Sequence, residues 1–186
     1  MTKPRGRPKA ITREMLAEAA CELFLESGYD ETSVTEIARR AGVARSSFFN
    51  YASTKAELLW GGLDERIDRV RDAVDSGMNV EEAIGHLADG FAPDALALAF
   101  ANGAAMRIEQ HLEVESAVRM SRIATIAARS LEAAGLRPME AAVFGGAYGA
   151  AVIAALRSWA LSGAGTELLD AHVRRALKAV SEVGRS

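Results

Sequence analysis

Cysteine, proline and aromatic side chains are all scarce in this chain of 186 residues: one cysteine, four prolines and 6% aromatics. The lone Cys21 excludes an internal disulfide framework and suits a reducing compartment. It falls in an apolar helical stripe, so its expected role is a small core side chain. Few prolines and abundant alanine favour helix nearly everywhere, and no alternating polar/apolar run argues for a strand. Also missing are a glycine-rich phosphate loop, a metal-spaced Cys/His set and a nucleophile motif, which counts against an enzyme. Glu109, His111, Glu113 and Glu115 crowd together in sequence. Neighbours at i, i+2 do not face each other on a helix, however, so no metal or other cofactor is expected. No apolar run follows the basic N-terminus, so no signal peptide is expected. The longest uncharged stretch, 141–156, is shorter than the ~20 residues a bilayer requires. The expectation is a cytoplasmic protein with no membrane partner.

The charge is polarised. The net value of −3 averages a first 60 residues with nine Lys/Arg against eight Asp/Glu and a remainder with thirteen against seventeen. Lys3, Arg5, Arg7, Lys9 and Arg13 precede every acidic residue. A basic arm on an acidic body suits phosphate contact at one end only. Helical spacing then organises the chain. Thr12 caps a first helix that Gly28 stops, and Ser33 caps a second over Val34, Ile37, Ala38 and Ala41. Gly42 turns the chain into a third helix running from near Ala44 to near Tyr51. Ser53 or Thr54 caps a longer fourth helix that Gly77 ends. Further helices are expected near 80–90, 93–102, 104–111, 113–134, 138–161 and 166–183, with Pro93 and Pro138 in first turns. The fold class is therefore all-α, with about nine helices. A mobile arm (1–9) leads to a three-helix unit (10–60) and a larger helical body (61–186).

Residues 33–51 read as two short helices joined by a tight turn, with polar residues opening the second. That is how a helix-turn-helix offers side chains to the DNA major groove. Arg45, Ser46 and Ser47 then point at base edges, arginine being the commonest bidentate reader of guanine. Thr35 can reach a base or a phosphate. Ser33 and Lys55 sit at helix N-termini, where a phosphate is favoured, and Asn50 and Tyr51 can close the phosphate contacts. Ile37, Val43 and Phe48 are the expected small core.

The landmarks from Leu23-Phe24 through Gly28-Tyr29, Thr32-Ser33-Val34, Ile37-Ala38, Ala41-Gly42-Val43, Ser47-Phe48-Phe49, Tyr51 and Lys55 to Leu58-Leu59 resemble the N-terminal domain of tetracycline-repressor (TetR) family regulators. The resemblance covers residues 9–60, with departures at Phe49, where relatives have Tyr, and at Ala52. The arm Lys3-Pro4-Arg5-Gly6-Arg7-Pro8-Lys9 is similar to an AT-hook, placing Arg5 and Arg7 in an A·T minor groove. The alternative for it is a solvated basic tail that adds salt-dependent affinity. The family implies a homodimer on a palindromic double-stranded operator, joined through helices 138–161 and 166–183. It also implies repression relieved by a small hydrophobic effector in the central helices. Candidate effector contacts are Phe91, Phe100, Met106, Arg107, His111, Phe144 and Tyr148. The segment Phe48-Phe49-Asn50-Tyr51 with Lys55 and Leu59-Trp60-Gly61 resembles a subgroup with acyl-CoA-like effectors. The competing readings are a non-specific A·T-rich DNA architectural protein and, further off, an α-helical enzyme.

Overall fold

The computed structural model describes residues 12–92, 94–163 and 165–183. Among them are ten α-helices, one 3-10 turn and no strand. The first three helices are α1 (Arg13–Ser27), α2 (Val34–Arg40) and α3 (Arg45–Phe48). Each of the first two has a local reason to start where it does. Thr12 accepts a hydrogen bond from the Met15 N–H at the head of α1. Ser33 and Glu36 form a reciprocal capping box at α2, satisfying N–H groups that a helix end leaves open. Gly42, at φ 73°, takes the left-handed turn between α2 and α3, a conformation that costs glycine little. Leu16, Phe24, Ile37 and Phe48 are fully buried beneath these helices, and Val43 packs half-buried against them. Arg40 forks onto Glu22 and Glu26 of α1, at 3.1 and 2.6 Å.

The third helix is shorter than its pattern suggests. After Phe48 the chain continues in tighter i→i+3 bonds, from Asn50 to Ser47 and from Tyr51 to Phe48, before α4 (Lys55–Asp75) begins. The boundary expected after residue 60 falls inside α4, and the hydrophobic core runs continuously across it.

The body comprises α5 (Val80–Gly85), the 3-10 turn His86–Ala88, α6 (Ala95–Ala101), α7 (Gly103–Met106), α8 (Glu109–Ala133), α9 (Pro138–Leu161) and α10 (Leu169–Val183). The helix expected from residue 93 starts later because the Asp94 carboxylate accepts from the N–H groups of Leu96 and Ala97 and acts as its cap; Pro93 lies outside the described residues. Arg107, at φ 51°, ends α7 in a left-handed conformation, and α8 starts two residues on, earlier than the expected 113.

The helices α8 and α9 form an antiparallel hairpin of unusually close approach. A Cβ on Gly145 would stand 2.5 Å from the Ala124 carbonyl oxygen, and one on Gly149 2.4 Å from that of Met120. Gly145 and Gly149 lie on the helix through which the family resemblance implies dimerisation, and within the chain they admit α8. Likewise Leu169, Val173 and Leu177 of α10 are buried within the chain, and the Trp159 indole N–H donates to the Glu167 carbonyl at 2.9 Å. As a helix, α9 is 24 residues long and apolar enough to cross a membrane by length and composition, although its uncharged stretch is shorter. Half of its most apolar window is buried here, as for a core helix. Between α4 and α8, Arg119 is buried, stacked 4.7 Å over the Trp60 ring and paired in bidentate fashion with Asp64.

Candidate nucleic-acid interface

The capping box starts α2 and the Gly42 turn leads into α3, and Ser33, Thr35, Arg45, Ser46 and Asn50, on or beside these helices, are all exposed. Ser47 and Tyr51 are half-buried, so they stand less open to bases or phosphates than their neighbours. Ser33 is occupied locally: its hydroxyl accepts from the Glu36 N–H at 3.2 Å and donates to the Glu36 carboxylate at 2.7 Å. The bond from the Ser33 backbone N–H first, and that from its hydroxyl second, hold the Glu36 carboxyl below the usual carboxylate range. Phe49, outside the expected contact set, is 48% exposed. The Arg45 guanidinium lies 5.4 Å from its ring centroid. The spacing of Arg45 and Phe49, four apart on one helical path, was the available signal for this pairing. Ala52 is buried and joins the core. Arg5 and Arg7 lie outside the described residues.

Lys55 is engaged within the chain. It was expected to meet a phosphate, but its Nζ donates to the carbonyls of Tyr29 at 2.6 Å and Thr32 at 2.8 Å. It also lies 4.3 Å from the Tyr29 ring centroid. Burial holds its pKa below the ordinary lysine value. Two carbonyl dipoles and an aromatic face take up the ammonium, and their effect is to lock the α1–α2 loop to the first turn of α4.

Tyr29 is the centre of this junction. Its ring packs on Phe24 and on His111, at 4.9 and 4.4 Å between centroids. Its N–H donates to the Met106 carbonyl at 2.8 Å. Burial, with Glu115 and Asp30 nearby, pushes its hydroxyl pKa up to about 12. The helix-turn-helix is thus held to both α4 and the α7–α8 connection.

Residues 16–59 match the family described as "Bacterial regulatory proteins, tetR family". The match covers the helix-turn-helix and the start of α4 and leaves the rest of the chain outside it. Among curated relatives, the chain is 32% identical over 82 residues to the protein of Mycobacterium tuberculosis named as the mycofactocin biosynthesis transcriptional regulator MftR, covering 42% of this chain and 41% of that one. It is 38% identical over 88 residues to the repressor KstR2 of the same species, covering 45% and 44%. The chain therefore matches about two fifths of the length of these relatives. Among solved structures, Thermus thermophilus FadR, a TetR-family repressor in complex with lauroyl-CoA, is 28% identical. It aligns over 91% of this chain and 93% of its own, with a TM-score of 0.53.

The candidate effector residues of the helical body divide into two groups. Phe91 and Phe100 pair off edge-to-face in the core with Trp159 and Trp60, at 5.5 and 5.8 Å between centroids. Met106 and Tyr148 are buried and Phe144 is half-buried. Arg107 and His111 instead face the helix-turn-helix: the Arg107 Cδ lies 3.1 Å from where a Gly28 Cβ would stand, and His111 lies 3.4 Å from Asp30. A cavity of about 210 Å3 beside His111 is lined by Gln110, His111, Val114 and Glu115, and by none of the other six candidates. Sequence spacing placed Arg107 and His111 together on one helix, 104–111; the structure instead puts Arg107 at the left-handed end of α7 and His111 in α8.

Proposed function

We propose that this protein is a ligand-responsive, sequence-specific DNA-binding regulator of transcription in the cytoplasm. It acts as a homodimeric repressor that a small hydrophobic effector releases from a palindromic operator. The observation that carries the reading is the exposure of Ser33, Thr35, Arg45, Ser46 and Asn50 on a trihelical unit that Lys55 and Tyr29 fasten to the body. Arg45 reads a guanine, Ser46, Ser47 and Thr35 meet neighbouring base edges, and Ser33, Asn50 and Tyr51 meet phosphates. Arg5 and Arg7 of the arm enter the minor groove. The lauroyl-CoA held by Thermus thermophilus FadR supports an acyl-CoA-like effector here.

The dimer face is the outer stripe of α9. Met139 and Val143 are 73% and 67% exposed, and a Cβ on Gly146 would meet nothing within 4 Å. Exposed Met120 of α8 flanks it. The helix α10 contributes less than expected, because its apolar side is spent inside its own chain.

Footprinting on the DNA flanking its gene, with and without acyl-CoA, tests the reading. Protection of two half-sites about 34–36 Å apart, lost on adding the effector, is the expected result. Equal affinity for any A·T-rich duplex would instead favour the architectural alternative.

A further inference from the structure

A groove of about 390 Å3 runs between α4 and the segment formed by α5 and the 3-10 turn. Its floor is apolar: Val70 and Ala73 from α4, with Met78, Ala83 and Leu87 opposite. The volume falls in the range of small-molecule sites. Arg66 and Arg69 stand along the same wall, because residues 66, 69, 70 and 73 share one helical face.

The two arginines are held differently. Arg66 Nη1 donates to the carbonyls of Leu87 at 2.8 Å and Asp89 at 2.7 Å, and its guanidinium lies 4.8 Å from the Phe91 ring centroid. It is thereby fixed at the lip, while its Nε and Nη2 make no hydrogen bond among the described residues. Arg69 makes no hydrogen bond or ion pair among the described residues. The acid at the rim, Asp89, is engaged by His86 at 2.8 Å. Burial first, and the Arg69 charge second, hold the Arg66 pKa below the usual guanidinium range. Two like charges share one face; Asp94, Asp89 and Glu65 act on Arg66 from nearby, but among the described residues no carboxylate is hydrogen-bonded to either guanidinium.

We propose that this groove binds an aliphatic anion, with its chain over Val70, Ala73, Met78 and Leu87 and its charged head on Arg66 and Arg69. The proposal rests on the ligand-responsive reading above and gives that effector a place and a head-group chemistry. Its consequence for DNA follows from α4 itself. A ligand at Arg69 pulls on the same helix whose first residue, Lys55, grips Tyr29 and Thr32, ~21 Å away at 1.5 Å per residue.

Titration calorimetry on the full chain, without DNA, tests it with four probes: decanoate, decanol, decanoyl-CoA and CoA. Decanoate or decanoyl-CoA should bind, with decanol at least about tenfold weaker, the worth of one charge-assisted contact. Arg69→Gln should weaken the anions by about tenfold, leave decanol unchanged and keep the melting temperature. Preference for decanoyl-CoA over decanoate, with CoA silent, assigns the head to a phosphate; the reverse preference assigns it to a carboxylate. Ala73→Trp, which fills the groove, should block both anions. Decanol binding as tightly as decanoate overturns the site, as does an Arg69→Gln protein that binds the anions like wild type, or no binding of either anion. Binding that leaves the footprint intact supports the site and counts only against release as its consequence.

Discussion

The helix-turn-helix and the α8–α9 hairpin solve opposite problems. The first is built from a seven-residue and a four-residue helix, too short to persist alone, so caps, the Gly42 turn and a handful of buried side chains hold them. Its working residues face outward and can be named one by one. The hairpin pairs helices of 25 and 24 residues, and what matters there is how closely two backbones approach. In the first region identity lies in side chains present; in the second it lies in side chains missing at Gly145 and Gly149. The comparison predicts that the two regions fail differently when altered.

The largest effect should come from the hairpin. Gly149→Ala puts a methyl 2.4 Å from a backbone oxygen that cannot rotate away, and should cost about 3 kcal/mol by thermal or denaturant unfolding. Gly146→Ala, one turn away and facing open space within the chain, should be neutral or gain up to about 1 kcal/mol when measured in the monomeric Val143→Glu background. Equal effects at the two positions would mean that α8 and α9 are not in this register. On the same outer stripe, Val143→Glu should leave the melting temperature near wild type while sedimentation shows monomers and operator binding collapses. A stable dimer of that variant would move the interface elsewhere, with α10 the first alternative.

Lys55 sharpens the contrast at the seam. If it locks Tyr29 and Thr32, Lys55→Met should destabilise the protein by about 2–3 kcal/mol, with an unchanged salt slope for DNA binding. A phosphate contact would do the reverse, leaving stability alone and lowering the slope by about one. Arg45→Ala should show the pattern of a reader, losing roughly 1–3 kcal/mol on the cognate site, little on random DNA and nothing in melting. Equal losses on both duplexes would demote Arg45 to a phosphate contact.

The sequence made the short helices legible because their signals are local. Ser33 with Glu36, Gly42 and the spacing of Leu16, Phe24 and Ile37 each report on residues within a turn or two. For Lys55 the position at a helix N-terminus is also a local signal, while the carbonyls that it meets in the structure lie 23 and 26 residues back. The body was legible as helices and hardly at all as a site. Alanine and glycine along α9 show that something comes close, but not whether it is α8 or a second subunit. Phe91 and Phe100 read as pocket or core with equal ease until Trp159 and Trp60 are seen against them. Arg66 and Arg69 are not legible as a site in the sequence, because a pair of arginines on a charged helix face looks like solvated surface.

The smallest expected effect sits where the two regions' logic meets, in the α2 cap. Ser33→Ala removes the hydroxyl that accepts from the Glu36 N–H and should cost about 1 kcal/mol. The cap also carries a pH signature. Glu36 has its folded pKa held below its unfolded value by hydrogen bonds from Ser33. Its contribution is therefore present above the usual carboxylate range and lost as the pH falls through the folded value. The difference in melting temperature between wild type and Ser33→Ala should shrink on acidification through that window and stay constant from there to neutrality. A gap that persists at low pH would show that the hydroxyl caps the helix without help from the carboxylate. A change in salt slope on the same substitution would show that Ser33 serves DNA as well as the helix.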